Sequence, residues 1–175
     1  MNIPIHYIPK QLSTRDRKTQ KKHIQSLKKK YQQKKYAKRP KLKSFKSKKS
    51  SHVSRAKTLY KVSSLVPSRM LARKTKCSLG TLRKIANKGK GAYYSSGSRP
   101  NQTAHSWARA RLASALTGGP ASVTDYHLLS KGCRPGSRAL RMANRTRKQQ
   151  RKQQPQPHPH QPHQPHRKTQ TPKNN

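Results

Sequence analysis

Apolar positions are unevenly spread along the chain, and their spacing predicts helices rather than strands. Residues 62–145 hold 32 of the 49 apolar residues, and the remaining 91 residues share 17. The opening stretch MNIPIHYIP sets Ile3, Ile5, Tyr7 and Ile8 around Pro4 and Pro9. The prolines exclude a regular helix and favour extended backbone before each of them. Such an apolar segment is expected to dock on the domain or on a partner. Ser13 followed by Asp16 then has capping-box spacing. Ile24, Leu27 and Tyr31 follow at i, i+3 and i+7, a narrow helical stripe that fades before Pro40.

The middle of the chain is more regular. Pro67 suits the first turn of a helix that carries Met70 and Leu71. A polar break at Thr75–Lys76 leads to Ser78, a good N-cap for a second helix. Leu79, Leu82, Ile85 and Ala86 form that helix's apolar stripe, and Gly89 is expected to stop it. Pro100 or Asn101 opens a further helix with Ala104, Trp107, Ala108, Leu112, Ala115 and Leu116 on one face, ended by Gly118 and Gly119. Trp107 reads as a core anchor, with base stacking the other reading. Ser122 and Asp125, again at capping-box spacing, start a helix expected to reach Lys131. A last helix over 137–145 carries Leu140, Met142 and Ala143.

Residues 146–175 contain no apolar residue, so nothing offsets the entropy of ordering them. Polyproline II geometry would put His160, His163 and His166 on one face, roughly 9 Å apart. A solvated tail and a metal- or pH-sensing tail both fit that pattern. The expected fold class is all-α: a basic, partly helical arm (1–61), a small helical domain with a helix-turn-helix-like hairpin (62–145), and a disordered tail (146–175).

Charge changes the picture more than hydropathy does. The chain has 175 residues, 44 Lys+Arg against 2 Asp+Glu, and a formal net charge of +42. Residues 1–61 carry 21 of the cations, 62–145 carry 16 and 146–175 carry 7. Two distant acids, Asp16 and Asp125, exclude paired-carboxylate catalysis and carboxylate-held metal pairs. No apolar run approaches the length of a membrane span. Cys77 and Cys133 lack metal-ligand spacing and are expected as free thiols. No catalytic, cofactor or metal residue is assigned, and a non-enzymatic protein is expected. A chain this cationic repels itself unless a polyanion neutralises it, so nucleic acid is the expected partner.

Three segments are the candidates for that contact. The arm offers Lys28, Lys29, Lys30, Lys34, Lys35, Lys38, Arg39 and Lys41, a run that also fits a nuclear localisation signal. The helix over 78–88 offers Arg83, Lys84 and Lys88, either to a DNA groove or as the outside of a plain helical hairpin. Residues 89–103, read as a loop, offer Lys90, Tyr93, Tyr94 and Arg99; the tyrosines either stack on unpaired bases or cover the core. The hairpin also resembles the helix-turn-helix of the lac repressor family. Leu71–Ala72, Cys77–Ser78, Thr81–Leu82, Ile85–Ala86 and Asn87 fall at matching intervals. Lys76 departs from that pattern, which has glycine at the turn.

The start MNIPIHYIPK, the block KCSLGTLRKIANKGKGAYYSSGSRPNQTAHSW (76–107), LASALTGG (112–119) and DYHLLSKGC (125–133) carry a wider resemblance. Over residues 1–145 the chain resembles a family of small, basic, uncharacterised proteins of large double-stranded DNA viruses of algae and protists. The resemblance implies a location in the virion, the host nucleus or a cytoplasmic virus factory. Composition and resemblance together lead to the expectation of a sequence-tolerant nucleic-acid-binding protein, DNA favoured over RNA, packaged with a genome. The alternatives are a minor capsid or core component that holds acidic virion or host proteins, and an RNA- or ribosome-associated protein. Oligomeric state is not legible, since no coiled-coil heptads occur.

Overall fold

A computed structural model describes residues 3–47 and 50–153. The expected tail histidines lie outside the described residues. Within them the chain is helical: a short 3-10 turn at Ile5–Tyr7, then α1 (Thr14–Gln32), α2 (Ser51–Tyr60), α3 (Arg69–Thr75), α4 (Leu79–Ser96), α5 (Ala104–Leu116), α6 (Pro120–Thr124), α7 (Tyr126–Gly132) and α8 (Arg138–Gln153).

Helix α5 is the axis of the fold. Its C-terminal half, Leu112 to Leu116, is buried all round, as expected of a helix without a polar face. Thr103 caps its start, and Ser106 answers from the third position in a complete capping box. Helices α2, α4, α6 and α8 all pack against α5, and α4 makes the most extensive contact. Gly89 explains how α4 comes so close. A Cβ there would lie 2.7 Å from the Ala108 Cα and 3.0 Å from the Trp107 carbonyl oxygen. The glycine expected to stop the helix instead lies inside it, because two backbones meet there.

The first 61 residues contribute apolar side chains to the interior. Leu12, Ile24, Leu27, Leu42, Ala56 and Tyr60 are all buried. Tyr60 on α2 donates its hydroxyl to the Leu116 carbonyl at 2.7 Å. The segment between α1 and α2 is stitched down by polar contacts. The Asn101 side chain accepts from the Leu42 amide at 2.7 Å and donates to the Leu42 and Phe45 carbonyls, each at 2.9 Å. Half of the expected capping box forms at α1: Ser13 accepts from the Asp16 amide. The Asp16 carboxylate turns instead to Ser44, accepting from its hydroxyl at 2.6 Å and its amide at 3.0 Å. These bonds, the hydroxyl's first, hold the Asp16 carboxyl below the usual carboxylate range.

Three further expectations are corrected. The helix expected over 122–131 is two short helices that meet at Asp125, and Asp125 does not cap with its side chain. The last helix runs to Gln153, so the first eight residues of the expected tail are helical. The cysteines are not free: Cys77, in the turn before α4, and Cys133, after α7, are disulfide-bonded. Backbone bonds flank the bridge, from the Ser78 amide to the Gly132 carbonyl at 2.7 Å and from the Arg134 amide to the Lys76 carbonyl at 2.8 Å. The Thr81 side chain fills the space a Cβ of Gly132 would occupy, so the approach of α4 and α7 needs that glycine.

Candidate nucleic-acid interface

Two of the three candidate segments meet on one side of the molecule. Helix α4 continues through Gly89 and Gly91 to Ser96, so Tyr93 and Tyr94 stand on a helix and not in a loop. Helix α1 packs against this helix. Tyr94 stacks on Tyr31 of α1 with ring centroids 5.9 Å apart and 18° between planes. Tyr36, just after α1, meets Tyr94 edge-on at 5.0 Å. Burial, then the neighbouring Tyr93 and Tyr36, push the Tyr94 hydroxyl pKa upward.

The four tyrosines are not equivalent. Tyr93 is 3% exposed, so its ring belongs to the interior and is not free to receive a base. Tyr94 is half-buried. Tyr36 is 66% exposed and presents the open ring of the cluster. Its signal in the sequence is its place in the cation run KKYAKR, which the i, i+3, i+7 stripe of α1 leaves out.

Arg39 serves this cluster from beneath. Its guanidinium lies over the Tyr93 ring at 4.8 Å and donates to the Gly97 carbonyl. Burial lowers its pKa, while the Tyr93 hydroxyl pulls the other way. His23 nearby is also lowered, first by burial and then by the charge of Arg39. Around these, Lys29, Lys30, Lys34, Lys35, Lys38 and Lys41 are exposed and Lys28 is half-buried. Lys34 takes the left-handed conformation (φ 58°) that turns the chain at the end of α1.

The α4 candidates separate. Arg83 and Lys84 are exposed on a stripe with Gly80 and Asn87. The turn before it places Lys76 in the left-handed region (φ 55°, ψ 34°), a conformation that costs a non-glycine residue something. Lys88 is exposed too, but its Nζ is engaged, pairing with Asp125 Oδ1 at 2.9 Å. Asp125 is fully buried and also accepts from Arg111 Nε at 2.7 Å and Nη2 at 2.8 Å. Burial alone would raise its pKa, but the hydrogen bonds from Arg111 and Lys88 outweigh burial and hold it below the ordinary value. Lys90 is half-buried.

Arg99 sits apart from the tyrosines, in the wall of a cleft of about 1020 Å³ that it shares with Trp107. Trp107 is half-buried and stands outside the apolar core, contrary to its reading as a core anchor. Among the described residues no group of three or more His, Cys, Asp or Glu is placed to hold a metal ion. No described helix is long and apolar enough to cross a membrane.

Fold and surface define a small all-helical protein that is strongly cationic and keeps both carboxylates engaged with its own residues. The chain belongs to the family of unknown function DUF5824, whose model matches residues 4–131. That match ends short of Cys133 and α8. No curated protein and no solved structure matches the chain.

Proposed function

We propose that this protein is a non-enzymatic, sequence-tolerant nucleic-acid-binding protein, with DNA favoured over RNA. The observation that carries the reading is charge accounting. Of 44 cations against 2 acids, Lys88 and Arg111 pair with Asp125, and Asp16 is engaged by Ser44. The exposed lysines around Tyr36 and the exposed Arg83–Lys84 stripe therefore face solvent without an acid to balance them, which favours a phosphate backbone. Lysines and arginines that meet phosphates fix position and carry no sequence information. A groove-reading role for α4 is the narrower form of the proposal, with Arg83 and Lys84 as the contacts.

A salt series with fluorescently labelled duplex tests the reading. If 6–10 phosphates are contacted, affinity falls by on the order of 10³–10⁵ between about 50 and 200 mM salt. Binding that ignores salt, or no binding at low salt, refutes it. Competition with structured RNA decides DNA against RNA. The resemblance to proteins of large DNA viruses supports the further reading of packaging with a genome. Mass spectrometry of shell and core fractions of such virions tests it, since a core location is expected and a shell location favours the capsid alternative.

A further inference from the structure

The cleft beside α5 has a construction that the general phosphate reading does not use. Ser106, Ala110 and Ser114 follow one another at i, i+4 and i+8, so α5 presents a shallow floor of small side chains there. At about 100° per residue, Trp107 and Arg111 rise on one side of that floor and Arg109 on the other. Lys57 comes from α2, and Arg99 from the turn before α5. His52, also in the wall, is fixed by a 3.1 Å contact between its Nδ1 and the Thr117 hydroxyl. The cleft is about 1020 Å³, at the upper end of the range for small-molecule sites. No acid is among the residues that line it. Asp125 stands behind Arg111 and holds its Nε and Nη2, so Arg111 is kept in one orientation at the cleft edge.

A half-buried indole in a cleft that Lys57, Arg99 and Arg109 also line, with no carboxylate in the lining, matches a ligand with a flat ring at one end and phosphate at the other. We infer that the cleft binds a nucleotide, its base against Trp107 and its phosphate among Lys57, Arg99 and Arg109. This inference rests on the nucleic-acid reading above and adds to it a site for an unpaired base. A base paired within a duplex cannot reach the indole, so the cleft gives the protein a preference for single strands or strand ends that charge alone does not give.

Trp107 is the chain's single tryptophan, so its fluorescence reports on this cleft. The full chain is titrated with a short oligothymidylate, with an abasic phosphodiester strand of equal length, and with adenosine monophosphate, while anisotropy follows binding of the strands. Saturable quenching by oligothymidylate, without quenching by the bound abasic strand, is expected. Quenching by adenosine monophosphate at similar affinity identifies the free nucleotide as the source; quenching by the strand alone identifies the nucleic acid. Trp107→Ala is expected to lower oligothymidylate affinity about tenfold by anisotropy, with Trp107→Phe recovering most of it and helicity unchanged in both. If both strands bind and the indole responds to neither, or equally to both, the cleft inference is overturned and the general reading stands. If neither strand binds at low salt, both fall.

Discussion

Replacing Asp125 with Asn tests the account of the interior most directly. The carboxylate is fully buried and receives three charged hydrogen bonds at 2.7, 2.8 and 2.9 Å. At an effective dielectric of about 20, opposite charges 4 Å apart attract by about 4 kcal/mol. Desolvation of the carboxylate opposes that attraction, and the opposition is already met in the native fold. Removing the negative charge therefore exposes the penalty on the partners. The two cations differ: the Lys88 side chain is 40% exposed and can rehydrate, while that of Arg111 is 21% exposed and can do so much less. The amide also turns a donor toward the Arg111 fork.

Breaking a buried pair from one side costs about 3–5 kcal/mol, and relief of Lys88 places Asp125→Asn near the lower end, about 3 kcal/mol. That is a large share of a total stability of about 5–15 kcal/mol. Urea unfolding followed by circular dichroism measures it. Lys88→Met should cost much less than Arg111→Met. The pH dependence has a fixed sign. Asp125 titrates lower in the folded state than unfolded, so its stabilisation is present above about pH 4 and is lost as pH falls through the folded value. Asp125→Asn should flatten that acid limb, in a chain with one other acidic side chain to complicate it. A loss under about 1 kcal/mol, or an unchanged acid limb, refutes the reasoning.

Three other outcomes follow from named contacts. Gly89→Ala should destabilise by about 1–3 kcal/mol, because the added methyl meets the α5 backbone at 2.7 Å. Gly80→Ala, with nothing within 4 Å, should be neutral or stabilising in the same denaturation assay; equal effects at both sites would contradict the close approach. Reduction, or Cys77→Ser, should lower stability by about 2–4 kcal/mol by opening the 56-residue cross-link, read as a melting shift with and without dithiothreitol. Rapid alkylation of both thiols in unreduced native protein would deny the bridge. Tyr60 has its hydroxyl pushed up to about 12, chiefly by burial and against the pull of Arg138. Its stabilisation is present below about pH 10 and is lost as pH rises toward 12, by about 2–3 kcal/mol. Tyr60→Phe should remove that alkaline dependence, and an unchanged alkaline melting profile would count against the buried Tyr60–Leu116 bond.

Much of the helical framework was legible locally. Ser13 and Ser78 cap helices where their spacing indicated, because a cap is a contact between near neighbours. Gly118 and Gly119 follow α5 as expected, and the all-α class followed from the period of the apolar stripes. Helix α2 has a shorter signature, Val53, Ala56 and Tyr60, placed after a cation run that obscures it. Of the candidate contacts, the arm lysines other than the half-buried Lys28 are exposed, as are Arg83 and Lys84; Lys88, also exposed, pairs with Asp125, and Arg39 and Tyr93 are turned to partners within the fold.

Sequence alone determined the helical class, the capped starts of α1 and α4, and the excess of cations that points to a polyanion. Those properties depend on residue type and on spacings of a few residues. Tertiary structure decided the rest, because each remaining feature joins residues far apart in the chain. It placed Gly89 between two backbones, where a helix stop had been the local reading. It gave Asp125 to Arg111 and Lys88, where the local reading was a cap. It joined Cys77 to Cys133 across 56 residues, folded the basic arm onto the tyrosines of α4, and turned Trp107 out of the core into a cationic cleft.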